Sequence, residues 1–246
     1  MSENQQNVNE EWEREVLVEK KPVMSLGNKV VKIFTSPYEV FENLMDHPKI
    51  LLPLIVVCIL GLISTLASMP FSQKVAENMI AIYEQYGIPT AGADTFTGVV
   101  GIVTAPLTIL VGWALFSVLY WIAARIFQVK VSINQVFSVY AHTLIVQYGI
   151  SIITMALNSF VFKSGVDFFS LGVILPNMDV TSTLYYFLQY FSLPMLWSLV
   201  LTGLGLSYLG KKKAFMGVLS VFLCYSAIAY GMSFMATLAF RMFVPS

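Results

Sequence analysis

The sequence has little charge, and long stretches of it have none. Asp, Glu, Lys and Arg make up 11% of its 246 residues, whereas soluble domains average about 25%. A helix needs about 20 apolar residues to cross the hydrocarbon core of a bilayer, and a soluble helix carries charge on its outward face. The sequence therefore predicts an all-α polytopic membrane protein with five transmembrane helices. The charge-free stretches are residues 50–73, 95–124, 131–162, 180–210 and 214–240.

Other absences exclude classes of chemistry. No carboxylate lies in a charge-free stretch, whereas proton relays, ion-coupled carriers and intramembrane aspartyl proteases generally need one there. No HExxH, Gly-x-Ser-x-Gly or phosphate-binding glycine motif is present. The two cysteines lie in apolar stretches without metal-ligand spacing, and a net charge of zero argues against nucleic acid. We expect a protein that is not an enzyme and has no catalytic residue, cofactor or metal site.

Positive charge predicts the orientation. Eleven of the 14 lysines and arginines precede the first span or lie in the second and fourth connections, and such charge stays on the cytoplasmic side. We therefore place the N-terminus inside and, after five crossings, the C-terminus outside. The predicted membrane domain covers residues 49–244, with spans at about 50–69, 99–124, 136–160, 184–209 and 214–240.

The segment before the first span divides into two parts. Residues 1–32 are expected to form a disordered acidic and basic cytoplasmic tail, with six glutamates among residues 1–19. Residues 33–48 are expected to form an amphipathic helix, which Ser36 would cap with Glu39 reaching back to the cap amide. Such a helix either leads directly into the bundle or lies in the cytoplasmic interface, and we favour the interfacial arrangement. Its apolar residues are Val40, Phe41, Leu44 and Met45.

The exterior connections contain two further features. A stripe of apolar residues after Ser72 predicts a separate short helix, ended by Gly87 and Pro89. The uncharged run 168–178 is too short to span, so it rests on the outer interface or re-enters the bundle. Pro194 falls inside the fourth predicted span, where a helix kinks or begins.

His142 is the one ionisable residue within a predicted span. With Tyr140, Gln147 and Asn158 on the same helix, it forms the candidate buried polar or partner-binding site. One interpretation is contact with a substrate or partner. The other, which we favour, is a neutral imidazole hydrogen-bonded to another helix, because no second ionisable group is available for a proton relay.

Small residues recur at helical spacing in two spans. Such faces let helix backbones approach closely in lipid, so we predict that they pack inside a compact bundle. The residues are Gly101, Ala105 and Gly112 in the second span, and Ser220, Cys224, Ala227 and Gly231 in the fifth.

The order of these elements resembles the YIP1-domain family of five-span membrane proteins, in its bacterial branch. The resemblance is carried by Ser36-Pro37-x-Glu39-x-Phe41, His47-Pro48-Lys49 and the stretch 191–223 with Trp197, Gly203 and Gly205. It implies a multi-pass protein of the bacterial inner (plasma) membrane with a non-enzymatic role. The Asp-Leu-Tyr-Gly-Pro signature of eukaryotic relatives, which bind Rab-type GTPases, is absent.

Two functions follow as hypotheses. The first is a scaffold or accessory protein that helps other integral membrane proteins, for example a transporter complex, to assemble; besides the lipid bilayer, its partners would be those proteins or further copies of itself. The alternative is a small transporter or channel with a polar site around His142 and the helix break at Pro194.

Overall fold

The computed structural model describes residues 23–85, 97–175 and 181–243. Residues 1–22 of the predicted disordered tail lie outside the described residues, whereas its last part, from Leu26 to Lys32, is helical and not disordered. Secondary structure in the described ranges is helical, apart from one antiparallel bridge between Ser170 and Ser192. The helices are α1 (Leu26–Thr35), α2 (Pro37–Asp46), α3 (Leu51–Gln85), α4 (Thr97–Ile126), α5 (Ile133–Ala156), a π-helical segment (Leu157–Phe162), a 3-10 turn (Leu171–Ile174), α6 (Thr183–Gln189), α7 (Leu193–Leu209) and α8 (Ala214–Phe243).

Within the described ranges, four helical stretches are long and apolar enough to cross a membrane. They are Leu51–Gln85, Ile102–Ile126, Ile133–Phe162 and Ala214–Met242. The prediction of an all-α membrane protein is thus confirmed. The fourth predicted span, 184–209, is divided into α6 and α7, because α7 begins with Pro194 in its first turn. At 17 residues, α7 alone is about 25 Å long.

α3 corrects the prediction of a separate helix after Ser72. It is continuous for 35 residues and contains Pro70 in its interior, so its length is about 52 Å. Its far end is attached to the rest of the chain, since Asn78 donates a hydrogen bond to the carbonyl of Ser164 at 3.1 Å. Tyr83 stacks on Phe240 of α8 with ring centroids 6.0 Å apart.

α1 and α2 pack on the bundle through the face that was expected to meet lipid headgroups. Val40, Phe41 and Leu44 are fully buried, and Phe41 lies beside Gly205 of α7. The apolar face is therefore covered by protein. The predicted cap also differs: the Ser36 side chain makes no cap hydrogen bond, its amide donates to the Lys32 carbonyl, and Glu39 forms an ion pair with Lys32.

α5 lies at the centre of the bundle, in contact with α1, α2, α3, α4 and α7. Side-chain and backbone polar groups join it to its neighbours. Thr143 Oγ1 lies 2.7 Å from Thr202 Oγ1 on α7, and Ser159 Oγ donates to the Ala67 carbonyl on α3. Hydrogen bonds of this kind hold helices together where the hydrophobic effect does not.

The small-residue faces pack differently from the prediction. Gly112 and Gly231 have no heavy atom within 4 Å of the position that a Cβ would occupy, and Ala227 is exposed. The predicted close packing is therefore absent at Gly231 and Ala227, which are exposed, and at Gly112, which is half-buried but where a Cβ would meet open space. Ser220 is buried, while Ala105 and Cys224 are half-buried; the packing of Gly101 lies outside the described part of α4.

α7 and α8, by contrast, do approach each other closely at glycines. A Cβ on Gly203 would stand 2.6 Å from the Val218 amide nitrogen. Gly217, opposite, donates its amide to Ser207 Oγ at 2.9 Å. Glycines on both helices thus bring the two backbones together.

Candidate functional site

The four predicted polar residues do not form one site. His142 and Asn158 are 16 positions apart on one helical stretch, which corresponds to about 24 Å. His142 lies near the end of α5 that contacts Lys49 and the start of α3. Asn158 lies in the π-helical segment at the opposite end.

His142 is fully buried. Its Nδ1 lies 2.7 Å from the carbonyl oxygen of Ser138, one turn earlier on the same helix. A carbonyl only accepts hydrogen bonds, so Nδ1 carries the proton and Nε2 presents a lone pair in the neutral ring. Nε2 is buried and has no hydrogen-bond partner among the described residues. The expected bond from His142 to another helix is therefore not made, and Thr143 and Thr202 provide a bond of that kind instead.

His142 faces a cavity of about 170 Å³ between α1, the beginning of α3 and α5. Lys29 and Lys49 line the same cavity. Lys29 is only 1% exposed, and its Nζ has no hydrogen-bond partner within the described ranges. Burial, and then the positive charge of Lys49, lower the pKa of Lys29 to about 8. Three nitrogen-bearing side chains therefore converge on one small space.

Tyr140 and Gln147 do not line this cavity. The Tyr140 ring packs edge-on against Tyr120 of α4, with centroids 5.1 Å apart. Gln147 is half-buried, and its Oε1 has no partner in the part of the chain that is described. Tyr140 thus belongs to the helix packing, and Gln147 stands apart from the histidine.

Asn158 belongs to a hydrogen-bonded network in the connection after α5. Its Nδ2 donates to Asp167 Oδ1 at 2.7 Å, and its Oδ1 accepts from the Phe168 amide at 3.4 Å. Asp167 Oδ1 also accepts from the Phe169 amide, and Ser170 Oγ donates to Gln189 Oε1 of α6. These bonds fix the connection against the break between α6 and α7.

No group of three or more His, Cys, Asp or Glu residues in the described ranges could hold a metal ion. The polar side chains that line the cavity are instead cationic or hydrogen-bonding, and they belong to Ser25, Lys29, Lys49 and His142. This arrangement attracts negative charge and offers no nucleophile paired with a base.

Comparison with known proteins gives the family. The model of the Yip1 domain matches residues 31–231, which is most of the chain. The chain belongs to the Yip1-domain family. No curated protein and no solved structure gives a significant match.

Within this Yip1-domain protein, two residues that carried the resemblance have structural roles. Gly203 allows the close approach of α7 to α8, and Gly205 leaves room for Phe41 of α2 and Val139 of α5. Trp197, by contrast, is half exposed. The domain match begins two residues after Lys29, so the buried lysine lies at the edge of the family's shared region.

Lys29 is the functional candidate that sequence reasoning missed. In the sequence it is one of many positively charged residues expected on the cytoplasmic side. The sequence nevertheless contained an indication of its burial. Lys29 precedes the apolar Ile33 by four positions and therefore shares a helix face with it. Both residues are buried.

Proposed function

We propose that this protein is a non-enzymatic scaffold or assembly partner of other integral membrane proteins in the inner membrane of a bacterium. The observation that carries the proposal is that polar side chains inside the bundle form hydrogen bonds between its helices. Thr143, Ser159 and Ser198 bond to neighbouring helices, so these groups serve packing. A bundle built in this way suits a protein that holds others in place.

The proposal includes five membrane crossings with the C-terminus outside. The contacts of α6 and α7 with α8 support it. Gly203 of α7 meets Gly217 of α8, and Thr183 of α6 reaches Thr237 at the other end of α8. The 20 positions from Gly217 to Thr237 cover about 30 Å, which matches the hydrocarbon thickness. Together α6 and α7 therefore have the length of one span.

α4 offers a surface for a partner. Only 11% of the residues in its 18-residue apolar window are buried within the chain, less than in the corresponding windows of the other long spans. Four of its exposed apolar residues lie four positions apart and so form one ridge along the helix. The ridge, which we call the α4 ridge, consists of Val103, Leu107, Val111 and Leu115.

Photo-crosslinking from the α4 ridge tests the proposal. A photoreactive amino acid at Leu107 or Leu115, in cells, is expected to give discrete and reproducible adducts with another membrane protein. The same amino acid at Val139, which is fully buried, is the control and should give none. If both ridge positions yield only lipid adducts, this surface has no protein partner and the proposal fails.

A small transporter or channel is the second candidate, and the break before α7 at Pro194 favours it. Purified protein in liposomes would then catalyse solute or ion flux without a partner. Flux that is lost in both His142→Ala and Pro194→Ala, while the protein still folds, would favour this candidate over the scaffold.

A further inference from the structure

The cavity beside His142 has the character of an anion-binding site. Lys29 places an ammonium group where water is largely excluded, and the described residues provide no hydrogen-bond partner for it. A buried charge without a partner is unfavourable unless a counter-charge completes the site. At pH 7 a lysine with a pKa of about 8 is still mostly protonated. Among the described residues, no hydrogen-bonded counter-charge therefore balances this positive charge at neutral pH.

The surroundings add to this positive potential. Lys49 lines the cavity as a second cation, and no Asp or Glu is among the described residues that line it. Ser25 and Leu26, also in the lining, form the beginning of α1. The amino end of a helix carries partial positive charge and free amide groups, which favours anions.

The volume of the cavity and the hydrogen-bonding groups that line it indicate which class of ligand fits. A volume of about 170 Å³ is smaller than the roughly 300–1,000 Å³ of pockets for drug-sized molecules. It suits a group the size of phosphate. His142 Nε2 can accept a hydrogen bond from a hydroxyl on or beside that group.

We propose that this cavity binds a phosphate group, supplied by an anionic phospholipid headgroup or by free inorganic phosphate, through Lys29 and Lys49 with His142 Nε2 as a hydrogen-bond acceptor. A lipid source fits the apolar surface next to the cavity. Leu52 lines it and is half exposed, and Ile55 and Ile59 continue an exposed apolar surface along α3. An acyl chain can lie there while the headgroup enters the cavity.

Thermal unfolding of the full-length protein in a neutral detergent tests the site and separates the two sources. Dioleoyl phosphatidylglycerol is compared with dioleoyl phosphatidylcholine, and sodium phosphate with sodium chloride at equal ionic strength. We expect phosphatidylglycerol or phosphate to raise Tm of the wild type by several degrees. A response to phosphatidylglycerol alone identifies the lipid, and a response to both identifies the phosphate group itself. No shift with either anion overturns the proposal.

Substitutions assign the response to the cavity. Lys29→Met should abolish the ligand-dependent rise in Tm, or weaken the apparent Kd at least tenfold. Without ligand it should leave Tm unchanged or raise it, because an unpaired buried ammonium is removed. Lys32→Met, on the same helix but outside the cavity, should respond like the wild type. If Lys29→Met does not fold, the exposed Lys49→Gln replaces it and should weaken binding. An unaltered response in the lysine variants overturns the proposal.

A carboxylate from the glutamate-rich residues 1–22 is the competing occupant. In that case Lys29→Met would lower Tm without ligand, and removal of residues 1–22 would lower it by the same amount. Under our proposal, the truncated protein keeps its Tm and its response to phosphatidylglycerol. A truncated protein with a lower Tm and no response to phosphatidylglycerol contradicts the proposal.

The pH dependence provides an independent readout. A phosphodiester keeps its charge between pH 7 and 9.5, whereas Lys29 in the empty site loses its proton above about pH 8. Binding that requires protonated Lys29 should therefore weaken about thirtyfold from pH 7 to 9.5. The ionisable groups that line the cavity with Lys29 are Lys49 and His142. The weakening should persist in Lys49→Gln, and an affinity independent of pH contradicts the role of Lys29.

Discussion

Gly203 shows how a missing side chain determines helix packing in this protein. A Cβ at this position would lie within 3.0 Å of backbone atoms of Val218 and Gly217 on α8. Backbone atoms cannot move aside as the end of a flexible side chain can. The α7–α8 contact thus depends on glycine at this position.

Alanine substitution should distinguish Gly203 from Gly112. Gly203→Ala forces α7 and α8 apart and should destabilise the protein by about 1–3 kcal/mol. Gly112→Ala meets open space and should be neutral or stabilise by up to about 1 kcal/mol, since alanine favours helix. Thermal unfolding in detergent measures both. An equal loss of stability in the two variants would show that the close approach of α7 to α8 does not depend on glycine at position 203.

These glycines also show where sequence reasoning about the packing faces reached its limit. The spacing of small residues identified Gly112 and Gly231 as packing positions, yet both face open space. In a soluble helix the polar face marks the outside. Here lipid-facing and protein-facing surfaces are equally apolar, so the spacing does not show which face is inside.

α3 is longer than its charge-free stretch suggested. Lys74, Glu77 and Glu84 all lie within it, and Pro70 lies in its interior. The helix nevertheless continues, held by the bond from Asn78 to Ser164. Loss of one backbone hydrogen bond at a proline is outweighed when tertiary contacts fix the following turns.

Spin labels on α3 should show its continuity. Cysteines at Ile63 and Glu84, both exposed, are 21 positions apart and should give a Cα separation of about 31 Å in a straight helix. Pulsed dipolar spectroscopy measures this distance after Cys58 and Cys224 are replaced by serine. A clearly shorter distance would mean that the chain turns back near Pro70. Labels at Leu51 and Ile63, which are both exposed and both precede Pro70, supply the reference within the same helix.

The division between α6 and α7 was only partly foreseeable. Pro194 indicated a helix start or a kink, and α7 does begin there. The hydrogen bonds that join Phe191 and Leu193 to the connection after α5 involve residues about 20 positions apart. Such contacts between distant backbone groups leave no periodic pattern in the sequence.

For the whole molecule, the sequence predicts the structural class well but does not predict the cavity beside His142. Charge-free stretches identified an all-α membrane protein, because lipid requires long apolar helices. The cavity depends instead on how α1 folds back against α3 and α5. That packing places Lys29 beside His142, 113 positions later in the sequence.

The proposed topology predicts the location of the C-terminus. Alkaline phosphatase fused after Arg241 should be active in a bacterial host, because the enzyme would lie outside the membrane. A fluorescent protein fused at the same position should not fluoresce, because it would not be exported in folded form. A fusion within Lys211–Lys213, between α7 and α8, should give the opposite result. Cytoplasmic fluorescence from the C-terminal fusion would mean four crossings, with α6 and α7 not spanning together.

The length of α3 has a practical consequence for imaging. The 27.4 kDa chain is small and would be largely hidden in a detergent micelle. Of the roughly 52 Å of α3, about 20 Å exceeds the hydrocarbon core and is attached through Asn78 and Tyr83. A helical marker domain inserted in phase after Gln85 would project from the micelle with a defined orientation. It would give single-particle images the alignment feature that the bundle itself lacks.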